Sequence, residues 1–211
     1  MKKRKFEIIL AVIIAALAVS CGGSQESGDK KLPYLGRHEY SETDTVYHTI
    51  ADFKFVDQDS NWVSNDTFKD KIYVADFFFT SCPTICPKMD AQMLRIYDSI
   101  QNVSDVALVS YTIDPKHDSV NVLKEFALKL GVENTDKWHF LTGDKDAIYQ
   151  LGQTSYMVSA SEDPSEPGGY IHSGAFILVD KNKHIRGIYD GTKPDDVNVL
   201  MKDIEVLRKE G

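Results

Sequence analysis

The stretch Ile72–Phe79, Ile-Tyr-Val-Ala-Asp-Phe-Phe-Phe, limits what this chain can become more than any other. Only Asp76 interrupts an apolar and aromatic run that shows no alternation. A strand apolar on both faces has to be covered on both, which happens in layered α/β sheets rather than in one-sided antiparallel ones. After Thr80-Ser81-Cys82-Pro83, apolar residues recur at helical spacing at Met93, Leu94, Tyr97 and Ile100, so a helix is predicted over Met89–Ile100. The junction between strand and helix carries Cys82 and Cys86, at the carboxyl edge of the sheet where α/β folds place ligands.

The remaining pattern fills in the layers. Phe53–Val56 and Trp62–Val63 predict a hairpin around the polar turn at 57–61. A strand at Val106–Ile113, a helix at Val120–Leu130 ending at Gly131, a strand at Trp138–Leu141 and a helix at about Asp146–Gly152 follow. Ser159–Tyr170, with Pro164, Pro167, Gly168 and Gly169, is predicted to be an irregular loop. Ala175–Val179 and Ile185–Tyr189 flank Asp180-Lys181-Asn182-Lys183 as an antiparallel hairpin, and an amphipathic helix spans Asp195–Arg208. A βαβ unit followed by a hairpin and a last helix is the thioredoxin order. The expected class is therefore α/β, thioredoxin-like, with a central mixed sheet flanked by helices and an N-terminal β-hairpin extension. Such a fold hosts many functions, so function has to come from the site.

The N-terminus carries a second signal. Lys2-Lys3-Arg4-Lys5 leads into the twelve-residue apolar run Ile8–Val19. A bilayer span needs roughly twenty residues, so this run reads as the core of a signal peptide. Cys21, directly after small residues, resembles the lipidated cysteine of a bacterial lipoprotein signal, although Ala18 stands where such signals prefer leucine. Residues 1–21 are expected to be the signal ending at Cys21, 22–39 a flexible tether, and 40–211 the folded domain. That places the domain in the cell envelope of a bacterium, outside the cytoplasm and held to a membrane by the lipid.

Charge excludes one large class of partners. The net charge is -8 even with the basic leader counted, and no basic stripe offsets it, so nucleic-acid binding is not expected. Nucleophile-elbow and phosphate-loop patterns are absent from the sequence. A peroxidatic cysteine would want Thr and Pro where this chain has Phe79 and Ala75.

Of three cysteines, Cys21 is taken by the anchor, which leaves Cys82 and Cys86 as an isolated pair. Two thiols four positions apart are too few and too close for a disulfide framework and point to chemistry. Positions i and i+4 share a helix face, so both sulfurs can address one acceptor, and a helix N-terminus favours thiolate. Cα atoms at this spacing, about 6 Å apart, also permit a redox-active disulfide between Cys82 and Cys86. Soft sulfur ligands select Cu(I) or zinc. Among six histidines, His38 and His48 precede the domain, His117 and His184 sit in polar turns, and His139 lies beside Trp138 in a strand; these read as surface or structural. His172 differs, because Tyr170–Gly174 joins the irregular loop to the strand Ala175–Val179, beside the start of the cysteine helix in the thioredoxin order. A Cys2His set suits three-coordinate Cu(I) and begins a Cu(II) site.

Phe-Phe-Thr-Ser-Cys-Pro-Thr-Ile-Cys-Pro-Lys-Met (78–89), Thr-Ile-Asp-Pro-Lys-His-Asp (112–118), Trp-His-Phe-Leu-Thr-Gly (138–143) and Ile-His-Ser (171–173) together resemble the Sco/SenC family, over residues 45–208. These are envelope copper proteins that help assemble cytochrome c oxidase. The resemblance implies that Cys82, Cys86 and His172 hold one copper ion, as Cu(I) or Cu(II), and it favours copper over zinc. It also implies that Asp114 and Asp118 belong to a loop near the site with a structural or ligand-supporting role. Ile171 stands where the family often has an acidic residue. The implied function is a metallochaperone that delivers copper to the copper-bearing oxidase subunit or to another cuproprotein. The alternative is a thiol–disulfide oxidoreductase that keeps the cysteines of a copper protein reduced.

Overall fold

A computed structural model describes residues 31–210. The expected signal peptide, Cys21 and the first part of the tether lie outside the described residues, as does the side chain of His172. Among the described residues no helix is long and apolar enough to cross a membrane.

From the N-terminus the elements are β1 (Glu39–Tyr40), β2 (Thr45–Val46), β3 (Lys54–Asp57), β4 (Trp62–Ser64), β5 (Ile72–Phe78), α1 (Cys86–Ser99), β6 (Val106–Thr112), α2 (Val120–Leu130), β7 (Trp138–Thr142), α3 (Lys145–Gln150), β8 (Ala160–Glu162), β9 (Tyr170–His172), β10 (Ala175–Val179), β11 (Ile185–Asp190) and α4 (Pro194–Glu210). Seven strands form one mixed sheet in the order β11-β10-β5-β6-β7-β3-β4. The central pair is parallel, with Phe77 opposite Tyr111, and β7 continues it in parallel beside β6. β10 joins β5 antiparallel on one side, and the β3–β4 hairpin joins β7 antiparallel on the other. This is the expected α/β thioredoxin-like class.

Burial explains why β5 lies in the middle. Every residue from Ile72 to Phe78 is buried, as an unbroken apolar run requires. Alternate side chains feed two cores. On one face Phe77 stacks on Tyr111 at 5.0 Å, with Phe53, Phe55 and Tyr156 against the same pair. On the other, Phe78 meets Phe126 and Phe140, and Trp138 stacks on Phe140 at 4.6 Å. Asp76 points into this second core and accepts a hydrogen bond from the Ser110 hydroxyl at 2.5 Å, while Trp138 Nε1 donates to that same oxygen at 2.8 Å.

The helix ends follow local chemistry. α2 stops at Gly131, whose φ of +82° is the left-handed cap glycine adopts without a Cβ clash. Asp144 caps α3 by accepting from the Ala147 amide at 2.9 Å. α4 opens with Pro194, Asp195 and Asp196 and closes with Arg208 and Lys209, matching its dipole at both ends.

Three expectations need correction. α1 begins at Cys86 rather than Met89, because Pro87 is tolerated in the first turn. The stretch expected to be irregular, Ser159–Tyr170, contains β8 and the first residue of β9, paired antiparallel with Ala160 opposite His172, as a two-stranded sheet separate from the main one. The expected tether 22–39 overlaps the body, since the compact unit begins at Lys31. Leu32 is buried, its carbonyl and that of Pro33 accept from Arg186, and the Leu35 amide donates to Ile185 at 2.8 Å. A buried guanidinium needs acceptors and an edge strand needs a partner, and this segment supplies both.

Candidate metal centre

β5 ends at Phe78, and the chain turns back at once. The Cys82 amide donates to the Phe79 carbonyl at 3.2 Å. Cys82 therefore sits in the bend before α1, while Cys86 is the first residue of the helix. The expected i, i+4 helix face does not bring the thiols together; the turn does. Both are buried, Cys82 at 8% and Cys86 at 2% exposure. The Thr84 hydroxyl lies 3.7 Å from Cys82 Sγ.

The electrostatics differ from the sequence expectation too. A helix N-terminus was expected to favour thiolate. Instead the Cys86 thiol is pushed well above its ordinary value, first by its hydrogen bond with Cys82 and then by burial, with the Asp90 carboxylate adding to both. Two adjacent sulfurs repel one another as thiolates unless a cation lies between them. A soft metal ion binding there would have to displace the Cys86 proton.

Asp118 holds the approach to Cys82. Its carboxylate is fully buried and accepts from the Thr80 amide at 3.0 Å, the Thr80 hydroxyl at 2.5 Å and the Thr112 hydroxyl at 2.5 Å. Asp114 turns the same loop: its carbonyl accepts from the His117 and Asp118 amides, and its own amide donates to Thr112 Oγ1. Burial, together with the Asp114 carboxylate, pushes the Tyr170 phenol up.

The segment around His172 runs along the thiol turn. A Cβ added at Gly168 would stand 2.9 Å from the Phe79 ring and 3.2 Å from Pro83 Cδ. Tyr170 lays its ring 5.0 Å from that of Phe79. A Cβ added at Gly174 would be 3.7 Å from Ile85 Cδ1. Residues on both sides of His172 thus touch residues on both sides of Cys82. Four other histidines are engaged elsewhere: His139 lies 3.2 Å from Asp57, His48 is hydrogen-bonded to the Ser155 carbonyl at 2.7 Å, His38 lies 3.2 Å from the Tyr34 carbonyl, and His184 faces Asp180. Among the described residues no group of three His, Cys, Asp or Glu side chains is disposed to hold a metal ion. Sequence reasoning missed Thr80, Phe79, Gly168 and Tyr170, whose parts in the site arise from contacts across the fold. Only the placement of Phe79 and Thr80 beside the first cysteine hinted at them.

The chain is similar to proteins already characterised. A family model described as SCO1/SenC matches residues 41–207. A SCO1/SenC family lipoprotein from Bacillus anthracis superposes with a TM-score of 0.70 at 30% identity, covering 76% of this chain and 95% of that one. BsSco, a member of the Sco family of cytochrome c oxidase assembly proteins in which a disulfide switch was identified, gives 0.69 at 26% identity, covering 84% and 98%. ScoI of Arabidopsis thaliana, solved with copper bound, gives 0.62 at 26% identity, covering 75% and 98%.

Proposed function

The chain belongs to the SCO1/SenC family, and from that premise we propose that it is a copper metallochaperone of the bacterial cell envelope. It takes one copper ion between Cys82, Cys86 and His172 and passes it to the copper-bearing subunit of cytochrome c oxidase or to another cuproprotein. Copper is cargo here. Cys82 and Cys86 supply soft sulfur, and His172 supplies an imidazole from β9. The lipidated Cys21 keeps the domain at a membrane, as the lipoprotein relative from Bacillus anthracis supports.

The observation that carries the reading is the way residues 168–174 pack along the thiol turn, against Phe79, Pro83 and Ile85. Loss of the Cys86 proton on metal uptake makes the affinity rise with pH. The test is Cu(I) titration of the reduced full chain beside Cys82→Ser and His172→Ala. One equivalent should bind tightly, and each substitution should weaken it by at least about 10-fold, the usual scale for losing a ligand or its support. Undiminished affinity in His172→Ala would remove that residue from the ligand set.

A second reading keeps the same sulfurs. The hydrogen bond between the Cys86 and Cys82 thiols puts them close together, which favours a redox-active disulfide and a thiol–disulfide oxidoreductase. His172→Ala separates the two roles: thiol exchange intact with copper binding lost assigns His172 to the metal.

A further inference from the structure

β10 and β11 separate the thiols from the point where the chain enters the described fold. Gly174 and Asp190 lie at the cysteine end of these strands, whereas Ile185 bridges Leu35 at the far end. The Ile50 amide donates to the Lys183 carbonyl at that same far end. Six residues of β11 put on the order of 20 Å between the two ends. Arg186 fixes the entry: it donates to Asp180, Glu210 and the carbonyls of Leu32 and Pro33, and it lies 4.2 Å from the centre of the Tyr34 ring.

Around this entry stands an array of tyrosines. Tyr34 and Tyr47 stack at 4.3 Å, His38 meets Tyr47 edge-on at 5.2 Å, and His184 meets Tyr34 edge-on at 5.0 Å. The small hairpin β1–β2 adds Tyr40 and Val46, which are 76% and 62% exposed. Four of the exposed large hydrophobic residues thus fall within Tyr34–Tyr47, the first part of the chain after the tether.

We propose that this face, Tyr34, Tyr40, Val46 and Tyr47, rests on the headgroup layer of the membrane that holds the chain, which leaves the thiol end directed into the aqueous phase. The proposal rests on the lipid-anchor reading of Cys21. Nine residues, 22–30, separate that cysteine from Lys31. Fully extended they span at most about 32 Å, so the tyrosine face stays within reach of the lipid surface. Tyrosine is the side chain that water–lipid interfaces select, because its ring is apolar and its hydroxyl remains wet. Lys31 and Arg37 can meet phosphates, while Glu39, Glu42 and Asp44 on the hairpin oppose a strongly anionic layer. The charge mixture fits zwitterionic headgroups.

The experiment uses the full lipidated chain in phosphatidylethanolamine–phosphatidylcholine vesicles that carry brominated acyl chains. Tyr40→Trp is placed in a Trp62→Phe background; native Trp62, 67% exposed on β4 at the opposite edge of the sheet, is the comparison. With the emission of buried Trp138, common to both proteins, subtracted, fluorescence of the introduced indole should fall in the brominated vesicles, because its ring sits at the interface, while Trp62 changes little. Amides of 39–46 should also exchange several-fold more slowly in vesicles than in detergent, and Tyr40→Ser with Val46→Ser should abolish that difference. Equal quenching of the two indoles, or equal exchange in vesicles and detergent, overturns the proposal. Vesicle flotation of Cys21→Ala reads the anchor separately. If flotation persists in Cys21→Ala and also in Cys21→Ala with Tyr40→Ser and Val46→Ser, neither the lipid nor this face holds the chain, and the anchor reading and this proposal fail together, while copper titration is unaffected.

Discussion

Thr80 is tied down twice by Asp118, through its amide and its hydroxyl, and Thr112 donates to the same carboxylate. Asp118→Ala would strand three donors in a fully buried pocket, at a cost of about 3 kcal/mol. Scanning calorimetry should show a melting point lower by about 6–12 °C. Asp118→Asn keeps one acceptor and should lose less; losses equal to those of Asp118→Ala would mean that the oxygen retained by the amide contributes nothing. Cys86 makes a prediction of opposite character. The folded chain holds its proton more tightly than the unfolded chain does, so this stabilisation is complete below the ordinary thiol value of 9.0 and is lost as pH rises above it. Tyr73, Tyr111 and Tyr156, all raised by burial above 10.0, add the same slope at still higher pH. Urea midpoints of the reduced protein and of Cys86→Ser should therefore diverge most at neutral pH and converge through about pH 9–10. A constant difference across that window would contradict the raised thiol.

At the scale of elements, two adjacent glycines isolate the contact between the hairpin and the thiol turn. Gly168 and Gly169 have φ of +86° and +84°, so alanine strains either one by about 1–2 kcal/mol. Nothing lies within 4 Å of a Cβ at Gly169, whereas one at Gly168 would strike the Phe79 ring and Pro83. Amide exchange across 160–172 in the metal-free protein should be faster in Gly168→Ala than in Gly169→Ala; matching rates would show that the tip is not seated on the turn. The same comparison explains what the sequence could and could not disclose. β5, α2 with its terminal Gly131, and the β10–β11 hairpin were legible because periodicity, a cap glycine and a polar turn are local signals. β8 and β9 were hidden, since strands of three residues, Ala-Ser-Glu and Tyr-Ile-His, are too short to carry a period of their own. The cysteines were found as a pair, but the reason they meet was misread, because the bend at Thr80–Ile85 depends on Asp118 from a distant loop.

For the whole molecule, the key contact is Arg186. It joins β11, the end of α4 through Glu210 and the segment after Lys31, all with its own side chain 4% exposed. Arg186→Ala would leave Asp180 and Glu210 without their cation, and breaking such a buried pair costs about 3–5 kcal/mol. The melting point should drop by about 6–20 °C, with limited proteolysis cutting first near residues 31–36. A drop of only a degree or two would show the segment to be a passenger. No local pattern marks this joint, because an arginine, an aspartate, a glutamate and two carbonyls converge there from four separate stretches. The β8–β9 ribbon has the opposite standing: it belongs to its own two-stranded sheet and shares no ladder with the seven-stranded one. It can lift away at a free energy of its own, well short of that for melting the core. On the proposed ligand set, the lifetime of a bound cargo and the durability of the fold are then set largely by different residues, so substitutions within 159–172 would retune how quickly the protein lets go more than they shorten its survival.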